Sequence, residues 1–95
     1  MECETVFSAA EPFFKGHYPG QPVTPGVMLI DRAVAETGRL RGRSIALKAI
    51  KKVKFSNPVF PDETVLLKLE PRGDGEMSYL FSKNGTACAC GILVF

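Results

Sequence analysis

His17 is the only histidine of the chain, and it lies in the stretch GHYPGQPVTPGVMLID, residues 16–31, fourteen residues ahead of Asp31. An imidazole titrates near neutral pH and can take a proton as a general base. A carboxyl group set in an apolar run is pushed toward its protonated form by desolvation and can give a proton back. Between the two stand Gly26 and Val27, at the start of a helical pattern. The first N–H groups of a helix have no intrahelical acceptor, and the positive end of the helix dipole lies behind them. They can hold an oxygen that is gaining negative charge, and Gly26 has no side chain to obstruct its approach. A base, an acid and a donor for a carbonyl oxygen are the parts needed to remove a proton α to a carbonyl and expel a β-hydroxyl, which is a dehydration. Each part also has a plainer reading. A lone loop histidine can be structural or merely exposed, Pro-Gly can simply make a tight helix start, and Asp31 can pair with Arg32 or another surface base.

The surrounding elements must fix that geometry. Pro19, Pro22 and Pro25 restrict the backbone between His17 and the helix. Thr24 is placed to cap the helix with Pro25 as its first residue. VMLIDRAVAET then presents a wide apolar face through Val27, Met28, Ile30, Val34 and Ala35, and Gly38 is expected to stop it. With almost no polar side, this helix must be wrapped. An N-terminal strand around CETVFSA precedes the loop. SIALKAIKKVKF alternates with Ile45, Leu47, Ala49, Val53 and Phe55 on one face, as a long half-buried strand with Lys51 as its misfit. TVLLKLE, EMSYLFSK and TACACGILVF follow as strands, and KNGT supplies the Asn-Gly pair of a hairpin turn. One helix against a meander of antiparallel strands predicts an α+β fold in a single domain, residues 1–95.

Composition limits what this domain can be. At 95 residues the chain buries roughly 60 to 65% of the surface its unfolded form exposes, so a partner subunit would help it. Hydrophobic residues at 45% and charged residues at 23% are ordinary globular values and exclude a disordered or fibrous chain. A net charge of +2 is too small to argue for nucleic acid. The bases cluster, however, as Arg39, Arg41 and Arg43 and then Lys48, Lys51, Lys52 and Lys54. They make either a solvated edge or a docking surface for an acidic or phosphorylated partner. Cys3, Cys88 and Cys90 show no zinc spacing; on one strand Cys88 and Cys90 would share a face, and all three suit a reducing compartment. The sequence shows no signal-peptide pattern and no apolar run near the roughly 20 residues of a membrane span, so a cytoplasmic location is expected.

At these residues the sequence resembles the hot-dog-fold β-hydroxyacyl-thioester dehydratases of fatty-acid synthesis. FFKGHYPGQPVTPGVMLID is similar to that family's histidine segment in residue types and spacing, and KVKFSNPVFPDETVLLKLE to its later strand, proline loop and strand. The resemblance covers most of residues 11–95. It implies a long central helix wrapped by an antiparallel sheet of about five strands, in a dimer whose active sites lie between subunits. It implies His17 as the catalytic base, Asp31 as the acid supplied by the other subunit, and the Gly26 N–H, with Val27 beside it, as the thioester-carbonyl site. The implied substrate is a 3-hydroxyacyl chain on acyl carrier protein or, alternatively, coenzyme A, and no metal or redox cofactor is required. Phe13, Phe14, Tyr18, Phe55, Val59 and Phe60 become candidates for an acyl pocket, although core residues have the same composition. Arg39, Arg41, Arg43, Lys51 and Lys52 become candidates for docking an acidic carrier protein.

Two departures narrow the resemblance. Members of the larger branch usually carry glutamate where this chain has Asp31; an aspartate is similar to the branch that also isomerises the double bond and to the short dehydratases of aryl-polyene pathways. The chain also lacks the extra N-terminal helix and strand of the common fatty-acid dehydratase. It therefore most resembles the short dehydratases of aryl-polyene pathways. An acyl thioesterase and a non-catalytic acyl-binding subunit are the competing readings, and a higher oligomer or a related hot-dog partner stays open beside the homodimer.

Overall fold

A computed structural model of the chain describes residues 1–8 and 23–95. Five strands and one helix follow in the order β1 (Glu2–Val6), α1 (Gly26–Arg41), β2 (Ala49–Phe55), β3 (Thr64–Pro71), β4 (Glu76–Lys83) and β5 (Thr86–Val94). The strands form one antiparallel sheet in the order β1-β3-β4-β5-β2. This is the expected α+β architecture. Because β1 and β2 occupy opposite edges, the segment between them has to cross the sheet, and α1 lies in that segment. Its 16 residues span about 24 Å at 1.5 Å per residue, against about 19 Å for five strands side by side.

Period-two alternation builds the core. Val65, Leu67 and Leu69 of β3 and Met77, Tyr79 and Phe81 of β4 are all buried, with Leu67 opposite Phe81 and Leu69 opposite Tyr79 in the register. Each such side chain contributes about 1.5–3 kcal/mol on leaving water. The β4–β5 hairpin closes through Asn84 and Gly85, whose φ angles of 51° and 80° give the two left-handed residues that match strand twist. From the helix, Leu29, Ala33 and Thr37 are buried, one turn apart, and Met28, Ile30 and Val34 pack at the margin of the core.

The structure corrects the sequence reading at several positions. Pro25, not Thr24, is the N-cap, with φ −60° and ψ 142° and no side-chain capping bond. Thr24 is drawn out of the helix because its N–H donates to the Val59 carbonyl at 2.8 Å. The helix also runs past Gly38 to Arg41. The residue that turns the chain is Gly42, at φ 72°, with its N–H on the Arg39 carbonyl (3.2 Å) and the Arg43 N–H on that of Gly38 (3.0 Å), a glycine-terminated helix end. Gly38 instead makes room: a Cβ there would stand 2.8 Å from the Arg43 carbonyl oxygen.

β2 is shorter and more exposed than its pattern suggested. Ile50 faces the core, opposite Leu93, while Ala49 does not. A register shift between Lys51 and Lys54, with Lys52 at φ 55°, inserts a residue, so Phe55 comes back to the inner face opposite Ala89. The misfit seen at Lys51 is this bulge. Leu47, Val53 and Phe55 are 39%, 41% and 54% exposed, because β2 is an edge strand with neighbours on one side only among the described residues. A bulge likewise separates the cysteines of β5. Cys88 falls at the register shift beside Phe81 and Ser82 and joins the core, whereas Cys90 pairs with Leu80 on the other face.

Candidate active site

His17, Phe13, Phe14 and Tyr18 lie outside the described residues. What the structure describes is the ground on the helix side of the segment. A cleft of about 360 Å³ opens at the N-terminus of α1, lined by Val23, Thr24, Pro25, Gly26 and Leu29 from one wall and Phe55, Ser56, Asn57, Pro58 and Val59 from the other. Two acyl-pocket candidates, Phe55 and Val59, are therefore in one cleft with Gly26. Phe60 is not among its lining residues; its ring instead lies 5.0 Å from the Lys83 ammonium.

The floor of the cleft is the helix start. Gly26 and Val27 have no intrahelical acceptors for their N–H groups, whereas the Met28 N–H already bonds the Pro25 carbonyl at 2.9 Å. The first turn contains no acidic residue, and Arg39 and Arg41 occupy the last, so the helix's own first turn does not offset the dipole's positive end. The Phe55 ring closes over Gly26 so nearly that a Cβ there would stand 2.6 Å from its Cζ. Glycine at this position is what lets ring and backbone meet. Val27 points away and is 64% exposed, which leaves its backbone as the only part that can serve the cleft.

Asp31 does not lie where its apolar surroundings in sequence suggested. Leu29 and Ala33 face the sheet, and a residue two positions from each comes out on the far side of a helix. Asp31 is accordingly exposed, in a stripe with Val27 and Ala35. Arg32, the alternative partner, is committed elsewhere: its guanidinium lies 4.4 Å over the Phe7 ring and donates to Thr5 Oγ1 and the Val6 carbonyl. The helix is thus tied to β1, and Asp31 is left facing outward.

The second wall of the cleft is braced by a group that sequence reasoning missed. Lys83 donates to the Pro58 carbonyl (2.9 Å) and to both oxygens of Glu63 (3.0 and 3.2 Å), while Glu63 Oε1 also accepts the Phe60 N–H at 2.8 Å. That backbone bond, and then the Lys83 ammonium, hold the Glu63 carboxyl below its ordinary pKa. Asn57 adds a bond to the Ala87 carbonyl. The only sequence trace of this brace is the loop SNPVFPDE itself; the partner Lys83 is 20 residues away in the chain.

The basic candidates divide. Arg39 pairs with Glu36 at 3.1 Å and Lys51 with Glu76 at 2.7 Å, and the Arg41 guanidinium is 5.6 Å from the Phe95 ring. Arg43 and Lys52 are exposed. Arg39 and Arg43 also flank a second cleft, about 570 Å³, whose lining includes Val34, Ala35 and Ile45. Exposed pairs of this kind are weak, so they do not cancel the positive character of this end. Among the described residues, no group of three or more His, Cys, Asp or Glu could hold a metal ion, and no helix is long and apolar enough to cross a membrane.

A helix laid across a five-stranded antiparallel sheet, with a cleft at its N-terminus, is the hot-dog fold. The same fold is found in the dehydratase heterocomplex ApeI:P from Xenorhabdus doucetiae, at a TM-score of 0.86 and 24% identity over 98% of this chain and 83% of that one. Residues 1–92 match the model of the ApeI-like family, ApeI dehydratase, and the chain belongs to that family. It is also similar to 3-hydroxyacyl-acyl-carrier-protein dehydratases FabZ. That of Roseiflexus sp. is 32% identical over 97% of this chain and 72% of its own length. That of Syntrophobacter fumaroxidans is 42% identical over 63% of this chain and 46% of its own. The chain thus spans about half the length of several curated relatives it matches, including one from Caulobacter vibrioides (48%).

Proposed function

We propose that the protein dehydrates a 3-hydroxyacyl thioester, carried on acyl carrier protein, to the trans-2-enoyl thioester of a fatty-acid or aryl-polyene type of synthesis. The observation that carries this reading is the cleft: largely apolar walls, a helix N-terminus with no acidic residue in its first turn, and a glycine at the point where a carbonyl oxygen would meet it. The FabZ relatives, whose names specify this substrate, support it.

In this mechanism the acyl chain lies between Phe55, Val59 and Leu29, with Phe13, Phe14 and Tyr18 as further candidates for its walls. The thioester carbonyl accepts the Gly26 N–H, with that of Val27 beside it. His17 takes a proton from C2 as the carbonyl oxygen gains negative charge, the electrons of that C–H bond form the C2–C3 double bond, and the C3–O bond breaks. Asp31 gives the departing hydroxyl its proton, so water leaves. Proton return from His17 to Asp31 resets the pair. General acid-base assistance is worth about 10²–10⁴-fold, and one oxyanion donor about 10²–10³-fold.

Asp31 faces away from its own chain's cleft, so it serves a neighbouring subunit's His17. What supports a homodimer is the pairing of two surfaces exposed among the described residues of one chain: the apolar stripe of Val27 and Ala35 around Asp31, and the exposed side chains of the edge strand β2. A related hot-dog subunit in place of a second copy is the alternative, favoured by the heterocomplex in which the structural neighbour was found. The exposed Arg43 and Lys52, with Arg39, Arg41 and Lys51, are suited to docking the acidic carrier, and the three free thiols suit the cytoplasm.

The test is to incubate the protein with 3-hydroxyacyl carrier-protein thioesters of differing chain length and identify the product. An enoyl thioester is expected. Free acid would establish a thioesterase in its place, and an unchanged substrate that stays bound would establish a binding subunit.

A further inference from the structure

The cleft contains a polar group for which the fold has no use. Thr24 is 4% exposed, and its backbone N–H is engaged by the Val59 carbonyl. Among the described residues its Oγ1 is buried and has no hydrogen-bond partner. A threonine at a helix start ordinarily gives its oxygen to the first-turn N–H groups, yet here Pro25 is the cap and no side chain makes that bond. Native proteins keep few buried hydroxyls unbonded, because the lost hydration is not replaced. A valine would fill the same space without the loss. Thr24 is therefore a residue whose hydroxyl works against folding at this site, two positions before Gly26 and in the lining of the same cleft.

We propose that Thr24 is a second donor to the thioester carbonyl, its hydroxyl bonding the oxygen that also accepts the Gly26 N–H. The assignment rests on the dehydratase reading. An oxygen that gains charge during proton removal has room for more than one donor, and a donor aimed at it stabilises the transition state more than the bound substrate. The Phe55 ring lies over Gly26 and is 54% exposed, so it can turn aside as the acyl chain enters and open this end of the cleft. The unbonded state of Thr24 is then the resting state of a donor, and the carbonyl oxygen supplies the missing partner as it gains charge.

Full-length protein carrying Thr24→Val or Thr24→Ser decides the matter, with 3-hydroxybutyryl-acyl carrier protein as substrate and thermal melting alongside. Thr24→Val is expected to lower kcat by about 10²-fold with KM changed less than about twofold, since the contact strengthens only in the transition state, while its Tm stays level or rises. Thr24→Ser, which keeps the hydroxyl, is expected to retain kcat within about threefold of the parent. A valine variant with parental kcat overturns the assignment, as does an equal loss in both variants, or a loss in Thr24→Val that follows a fall in Tm. If the parent dehydrates and Thr24→Val matches it, only the role of Thr24 falls. If the parent neither converts nor binds the substrate, the dehydratase reading falls and takes Thr24 with it.

Discussion

Under the proposed function, the missing side chain of Gly26 serves chemistry more than stability. The atom that a Cβ would meet is the far end of an exposed phenylalanine, which can rotate aside, and helical backbone accepts alanine readily. Gly26→Ala is therefore expected to leave Tm level or slightly raised. The new methyl would nevertheless occupy the approach to the first-turn N–H, and loss of that donor should lower kcat/KM by about 10²-fold. Parallel melting and steady-state assays check both halves. A variant that melts early and loses activity in proportion would make Gly26 a packing residue instead.

At the scale of elements, the loop between β2 and β3 is the one whose position matters most, because Pro58 and Val59 form a cleft wall and Val59 also holds Thr24. Its brace is Glu63, pinned by the Phe60 N–H and by Lys83. A carboxyl whose pKa is lower folded than unfolded binds fewer protons in the native state, so it adds stability above its unfolded value of about 4.3 and loses that contribution as pH falls through the folded value. Glu63→Gln is expected to melt earlier than the parent at neutral pH and to converge on it in acid. Tm followed from neutral to acidic pH shows this directly; a constant gap across the range would mean that the bond geometry, not the charge, is what counts. The buried thiol of Cys88 and phenol of Tyr79, both pushed up by desolvation, stay neutral throughout and add nothing to this slope.

The whole molecule raises a different question, since Asp31 faces away from the cleft of its own chain. If each active site combines His17 of one subunit with Asp31 of the other, then His17→Ala and Asp31→Ala are each inactive alone. Co-expressed in equal amounts, they should recover about a quarter of the parental activity, because half of the dimers are mixed and one site in each mixed dimer is intact. Activity measured on the separated mixed dimer checks the figure. No recovery would place base and acid in a single chain, or assign the partner role to a different protein.

Particular residues show how far the sequence could be read. The alternation of β3 and β4, the Asn84–Gly85 turn and the apolar helix were legible because each depends on neighbours two to four residues away, where local sterics and burial leave one solution. The helix end was misplaced because Gly38 and Gly42 differ only in what returns to pack beside them. The alternation of β2 gives no sign that it lies at an edge, and the bulge at Lys52 inverts the inward set from Ala49 to Ile50. Lys83 and Glu63 meet only through the loop that closes the cleft. For the candidate site, the sequence by itself determined the residue types and the order His17, Gly26, Asp31, because proline-stiffened spacing and helix-start chemistry are local. Only the tertiary structure decided that Phe55 covers Gly26, that Thr24 leaves the cap with its hydroxyl unbonded, and that Asp31 faces outward. Those outcomes depend on which face of the helix meets the sheet, and that is set by contacts between segments far apart in the chain.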